Sequence, residues 1–201
     1  MDTVTLAVLL HKITQKTKVD YTACIAKDQF NLLDFATKPA LIIVNTDRKG
    51  WSILLKVYFI IFSGFLKINF QISELPGSHW VCYYHIRTPS GHYSEFFDSY
   101  GEGPEYYDIQ TPYPVLKINH RVLQKKTSAS CGQFCLFYAY HRARGCSLEQ
   151  ILGKLSCDLN LNERIVATAF HSYSRGHSLE KGGQGCKWRL YNHRARCNPS
   201  R

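Results

Sequence analysis

The 201-residue chain has no apolar run long enough to cross a bilayer. Its most apolar stretch, residues 51–66, is interrupted by Lys56 and falls short of the roughly 20 residues that a spanning helix needs. Stable membrane insertion is therefore not expected. A Gly-rich phosphate loop is also missing, which removes the nucleotide-cradling classes, and there is no internal repeat. Nor is there the paired Cys-x-x-Cys spacing that marks structural zinc. Cys186, His193 and Cys197, with His171, His177 or Cys157 as a fourth donor, lack that pattern, so neither a metal nor a cofactor is expected. The opening segment has no basic n-region and no small-residue cleavage site after its brief apolar run. The eight cysteines are accordingly expected to be reduced thiols of an intracellular protein, nuclear or cytoplasmic and not secreted.

What is present suits one globular domain: the length allows a real core without disulfide staples, and 45% of the residues are hydrophobic. The formal charge of +10 is unevenly spread. Residues 175–201 hold seven Lys or Arg against the single Glu180, a net of +6. This segment is rich in Gly, Ser, Arg and His without apolar periodicity, so it reads as a disordered basic tail. Such a tail is a solvated terminus that can also touch nucleic acid non-specifically through phosphates.

Along the chain, residues 6–13 suggest a helix, followed by a polar stretch to Asp20. The continuous apolar run 39–45, closing in Asn45-Thr46-Asp47, predicts a buried strand. Residues 80–86 and 93–98 predict two more strands, and Thr88-Pro89-Ser90-Gly91 between them has the chemistry of a hairpin turn. Residues 101–114 form a Pro- and Tyr-rich loop, and 115–123 contain a short extended segment. From Cys131, Phe134, Leu136, Phe137 and Tyr140 predict a buried helix to about Arg144, stopped by Gly145. Ser147 and Gln150 then form a capping box at the start of a further helix.

Cys131 stands at the first turn of its helix, where unpaired backbone N–H groups and the positive end of the dipole favour thiolate over thiol. Gly132 beside it lets a substrate backbone approach, and Cys135 one turn on is expected to be a small buried residue. His79 stands at the entry of one hairpin strand, and Asp98 at the end of the other, so the pairing can bring the carboxylate onto the imidazole. Gln124 precedes Cys131 by seven positions. Taken singly, these residues read as a surface histidine, a turn-forming aspartate and a structural cysteine. Taken together, they supply the nucleophile, base, orienting carboxylate and amide donor that acyl transfer requires.

Four segments carry a resemblance to a known superfamily: Gly77-Ser78-His79-Trp80-Val81, Phe96-Phe97-Asp98-Ser99-Tyr100-Gly101, Gln124, and Ser128-Ala129-Ser130-Cys131-Gly132-Gln133-Phe134-Cys135. The chain from about Tyr21 to Tyr173 resembles the adenovirus-type endopeptidases and their relatives. Those relatives include the proteases that process SUMO and ubiquitin-like modifiers, and the proteases of large virus-like DNA transposons of the Maverick or Polinton type. The strand ending Asn45-Thr46-Asp47 is similar to that of the transposon branch.

The resemblance implies an α+β, papain-like cysteine proteinase fold of the adenain and SUMO-protease type, with a central antiparallel-rich sheet packed against the nucleophile helix. It implies that Cys131 attacks the scissile carbonyl, His79 shuttles the proton and Asp98 orients His79. Gln124 would then donate its amide to the oxyanion, and Trp80 would shield the site or line the substrate channel, unless it is a core tryptophan. The implied substrate is a polypeptide, either a capsid precursor in the manner of a maturation protease or a ubiquitin-like protein in the manner of a deconjugating one. The domain would span residues 21–174, between a variable segment 1–20 and the tail 175–201.

Three departures stand out. The His79 to Asp98 spacing is slightly long, although the turn at Pro89-Ser90-Gly91 can absorb extra residues. No cysteine lies between Cys82 and Cys131, where the adenovirus enzyme pairs with its activating peptide, so no such activator is expected. Finally, the atypical apolar insertion 51–75 splits a unit that reads continuously in the transposon proteases, as an intron retained and translated in frame would; a membrane-associated hairpin and an added pair of strands are the alternatives. Two further classes remain open: an acetyltransferase using the same thioester chemistry, and an inactive relic disabled by the insertion.

Overall fold

The computed structural model describes residues 2–32, 38–46 and 79–175. The expectations for residues 51–75, for the tail beyond Arg175 and for the donors His177, Cys186, His193 and Cys197 fall outside them. Asp2 opens helix α1 (Thr3–Thr14) by accepting hydrogen bonds from Thr5 N and Thr5 Oγ1, each at 2.8 Å, an N-cap that satisfies a donor the helix cannot. These bonds hold the Asp2 carboxyl below its usual pKa. Leu6, Leu9, Leu10 and Ile13 follow the helical period and are buried on one face.

Five strands make one mixed sheet in chain order: β1 (Tyr21–Ala26), β2 (Ala40–Asn45), β3 (Trp80–Thr88), β4 (Gly91–Phe97) and β5 (Lys117–Ile118). The central pairings β2–β3 and β3–β4 are antiparallel, whereas β1–β2 and β4–β5 are parallel. β2 is buried at every position, as its unbroken apolar run requires of a strand covered on both faces. Alternate residues go to opposite sides: Leu41, Ile43, Trp80, Cys82 and Phe97 face the helices, while Ile42, Val44, Val81, Tyr83 and Phe96 pack with Phe30 and Ile109. The β3–β4 hairpin closes on the pair Thr88 and Gly91, with Gly91 at φ 121° taking the turn's left-handed position.

On the helical side lie α2 (Cys131–Ala143), α3 (Leu148–Leu152) and α4 (Leu159–Arg175). α2 is the axis of this layer, packing against β3, α1 and α4. Gly145, at φ 86°, lets the chain leave α2, and both bonds of the Ser147–Gln150 capping box are made at the start of α3. The protein is thus a mixed α+β structure whose five-stranded sheet packs against helices. Among the described residues, no helix is long and apolar enough to cross a membrane.

Several features depart from the sequence reading. β1 and α4 were not foreseen. In α4 the buried residues Asn162, Val166, Ala169 and Tyr173 form a single stripe at helical spacing, but the polar residues between them hide it from a hydrophobicity scan. α1, which falls in the segment expected to be variable, contributes Leu6, Leu9, Leu10 and Ile13 to the same core as α2. The expectation of reduced thiols is met by Cys24, Cys82, Cys131 and Cys135, which are free and buried. It fails at Cys146 and Cys157, which are disulfide-bonded: composition and local pattern do not say which sulfurs the fold brings together.

Candidate active site

The hairpin does what its register predicts. His79 immediately precedes β3 and Asp98 immediately follows β4, so the antiparallel pairing of the two strands brings both side chains to one end of the sheet. Nε2 of His79 lies 2.5 Å from Asp98 Oδ1. A carboxylate only accepts hydrogen bonds, so Nε2 carries the donated proton and Nδ1 is the nitrogen that Asp98 does not engage. Nδ1 is buried and has no hydrogen-bond partner of good geometry among the described residues. Cys131 is nonetheless near enough to favour the charged form of the ring. Burial alone would lower the His79 pKa; the hydrogen bonds and charges of Asp98 and Cys131 outweigh it and raise the value to about 9.

Asp98 is fully buried, and its charge is met by an array of donors. Besides His79, Oδ1 accepts from Tyr100 N at 3.1 Å, while Oδ2 accepts from Glu102 N at 3.0 Å and from Tyr107 Oη at 2.8 Å. Backbone donors supplied by the turn after β4 stabilise a carboxylate without adding a side chain to order. Tyr107 loses acidity in return, its hydroxyl pKa raised by burial and by the Asp98 charge. Gly101 makes this turn possible. At φ 82° it adopts a left-handed conformation, and a Cβ there would come within 3.0 Å of the backbone of His120 and Arg121. Asn119, also fully buried, donates Nδ2 to the Asp98 carbonyl at 2.6 Å and to Arg121 O at 3.1 Å.

Gln124 is fully buried too, and its amide is held in one orientation. Ser99 Oγ donates to Gln124 Oε1 at 2.6 Å, and the Ser99 carbonyl accepts from both Leu123 N and Gln124 N. The Ser128 carbonyl only accepts, which fixes the nitrogen end of the amide: Nε2 donates to Ser128 O at 2.8 Å and toward Tyr100 Oη at 3.4 Å. Residues 98 and 99 are neighbours in sequence, so one short turn orients both the histidine and the amide.

Cys131 is the first residue of α2 and 6% exposed. The residue before it, Ser130, makes no side-chain cap to the helix; its hydroxyl donates instead to Glu163 Oε2 on α4, and Glu163 Oε1 accepts from Lys125 N at 3.4 Å. Glu163 thereby ties down both ends of the loop between Gln124 and Cys131.

The structure brings His79, Asp98, Gln124 and Cys131 into one cluster, and gives the other two sequence candidates structural roles. Trp80 is 2% exposed within the helix-facing core, and its carbonyl accepts from Cys135 Sγ at 3.3 Å. Gly132 is buried, and a Cβ there would meet Leu6 Cδ2 at 3.1 Å, so its bare face admits α1 to close packing on α2 where a substrate backbone was expected. Ser99, Tyr100, Tyr107, Asn119 and Glu163 were not foreseen as site residues. The adjacency of Ser99 and Tyr100 to Asp98 was a usable signal; the other three reach the site from distant positions and gave none. No protein-family model matches the chain, and no curated protein matches it either.

Proposed function

We propose that this chain is a cysteine peptidase of the adenain and SUMO-protease type, hydrolysing peptide bonds through Cys131, His79 and Asp98 with Gln124 as oxyanion donor. The observation that carries the reading is the buried contact of His79 Nε2 with Asp98, which leaves Nδ1 as the nitrogen for Cys131, the first residue of α2. In the reaction, Cys131 first gives its proton to His79 Nδ1; Sγ then attacks the scissile carbonyl as the thiolate, and the imidazolium protonates the leaving amine. A Gln124 N–H stabilises the tetrahedral oxyanion, a contact worth about 3–4 kcal/mol of barrier. Water then hydrolyses the thioester, with His79 as its base.

Of the substrate classes, we favour a maturation-type target such as a capsid precursor, on the strength of the Asn45-Thr46-Asp47 strand. Cleavage of an isolated precursor peptide supports that choice, whereas a requirement for a folded ubiquitin-like partner points to deconjugation. The test of the activity itself is covalent labelling of the full chain by a peptide-based electrophile, mapped by mass spectrometry. Labelling confined to Cys131 and abolished in His79→Ala is expected. Absence of selective labelling would refute the catalytic reading and leave the inactive-relic alternative, and turnover that required acetyl-coenzyme A would make the chain an acetyltransferase.

A further inference from the structure

Resting on the peptidase reading, one side chain beside the cluster has a geometry that the four named residues do not use. The ring of Tyr100 stacks on the His79 imidazole, with centroids 4.4 Å apart and planes 20° apart. At its far end, the hydroxyl oxygen accepts a hydrogen bond from Gln124 Nε2 at 3.4 Å. The contact runs from amide to hydroxyl, so the Tyr100 proton is not spent on Gln124.

Gln124 itself has limited donor capacity. It carries two N–H groups, and one is committed to Ser128 O at 2.8 Å. A turned-over amide would set Oε1 against the Ser128 carbonyl, which only accepts, so the amide stays in this orientation. A single N–H therefore remains, and it points to the place where the Tyr100 hydroxyl sits.

We propose that the Tyr100 hydroxyl is a second side-chain donor to the oxyanion, paired with the remaining N–H of Gln124. When Cys131 Sγ bonds to an acyl carbon, the carbonyl π electrons move onto oxygen; that oxygen accepts from Gln124 Nε2–H and from Tyr100 Oη–H. Neither proton transfers. Collapse re-forms the carbonyl and expels the leaving group. Burial and the nearby charges of Cys131 and Asp98 keep the Tyr100 pKa above the ordinary phenol value, so the hydroxyl retains its proton throughout the neutral range. The stacked ring gives the arrangement rigidity, since Tyr100 cannot leave Gln124 without uncovering His79.

The experiment compares two reactions of the full chain at Cys131: acylation by p-nitrophenyl acetate, which passes through an oxyanion, and alkylation by iodoacetamide, which does not. Tyr100→Phe keeps the ring and removes only the hydroxyl. It is expected to slow acylation on the order of 10²-fold and leave the alkylation rate unchanged; Gln124→Ala is expected to show the same signature. Acylation by Tyr100→Phe at the wild-type rate overturns the proposal. A parallel loss of alkylation also overturns it, because Tyr100 would then act by holding His79. If the wild-type chain shows no Cys131-selective reaction with either reagent, the peptidase reading fails and this donor falls with it, an outcome separate from the other two.

Discussion

Asp98 is the residue on which the cluster turns, because its two oxygens gather four donors from three separate parts of the chain. Its effect on His79 gives a directional prediction. The Asp98 carboxylate helps hold the imidazole proton to a pKa of about 9, and Asp98→Asn removes the charge and weakens the acceptor. The His79 pKa then falls. In a pH profile of peptide turnover, the wild-type alkaline limb is expected near the His79 value, and that of Asp98→Asn at lower pH with a reduced maximum. An unmoved limb would mean that some other group titrates there. The pairing was legible in the sequence because a hairpin converts two distant positions into neighbours by simple register. The third partner of the carboxylate, Tyr107, was not: it comes from a loop, and no periodicity describes where a loop side chain lands.

At the level of elements, α2 must sit at a fixed depth because it carries Cys131 at its first residue. Part of that depth is set at its other end. Arg142 Nε donates to Glu95 Oε2 on β4 at 2.9 Å, with the guanidinium 3.9 Å from the Tyr84 ring centroid. Glu95 is fully buried and also accepts from Tyr93 and Tyr138, each at 2.6 Å. Arg142→Met strands that charge, and urea denaturation is expected to show a loss of about 3–5 kcal/mol; adding Glu95→Gln should recover part of it. A loss within error in the single variant would show that the two tyrosines satisfy Glu95 alone. The turn after β4 is equally constrained. Gly101→Ala is expected to cost about 1–3 kcal/mol through its left-handed backbone, and more where the added Cβ meets the chain at 120 and 121. Lower thermal stability together with slower Cys131 labelling would register both effects.

Across the whole molecule, two buried histidines shape stability in opposite directions. His79 has its pKa raised from 6.5 to about 9, so its contribution is complete below pH 6.5 and is lost as the pH rises through 9. His141 has its pKa lowered from 6.5 to about 3, by burial first and then by Lys154 and Arg144. It folds as the neutral form, and stability falls as the pH drops from 6.5 toward 3, because the unfolded chain binds the proton that the folded chain refuses. These two groups therefore predict a stability maximum near pH 6.5. Urea midpoints across that range should show a shallower acid limb in His141→Leu and a shallower alkaline limb in His79→Ala. Equal slopes in wild type and His141→Leu would assign the acid limb to other groups.

What depends on local order and period is legible in the residue order alone. The buried strand β2, the β3–β4 hairpin, the start of α2 at Cys131, its stop at Gly145 and the Ser147–Gln150 capping box all follow from short-range patterns, and so does the closeness of His79 to Asp98. What depends on contacts between distant segments was settled by the closed fold. It put α1 against Gly132, Glu163 of α4 under the loop before the nucleophile, and Asn119 and Tyr107 around the Asp98 turn. It also turned Trp80 into the core. The reason is physical: backbone propensity and pairing register are carried by neighbouring residues, whereas packing of one side chain against another far along the chain is settled when the whole core closes and selects among faces that are locally equivalent.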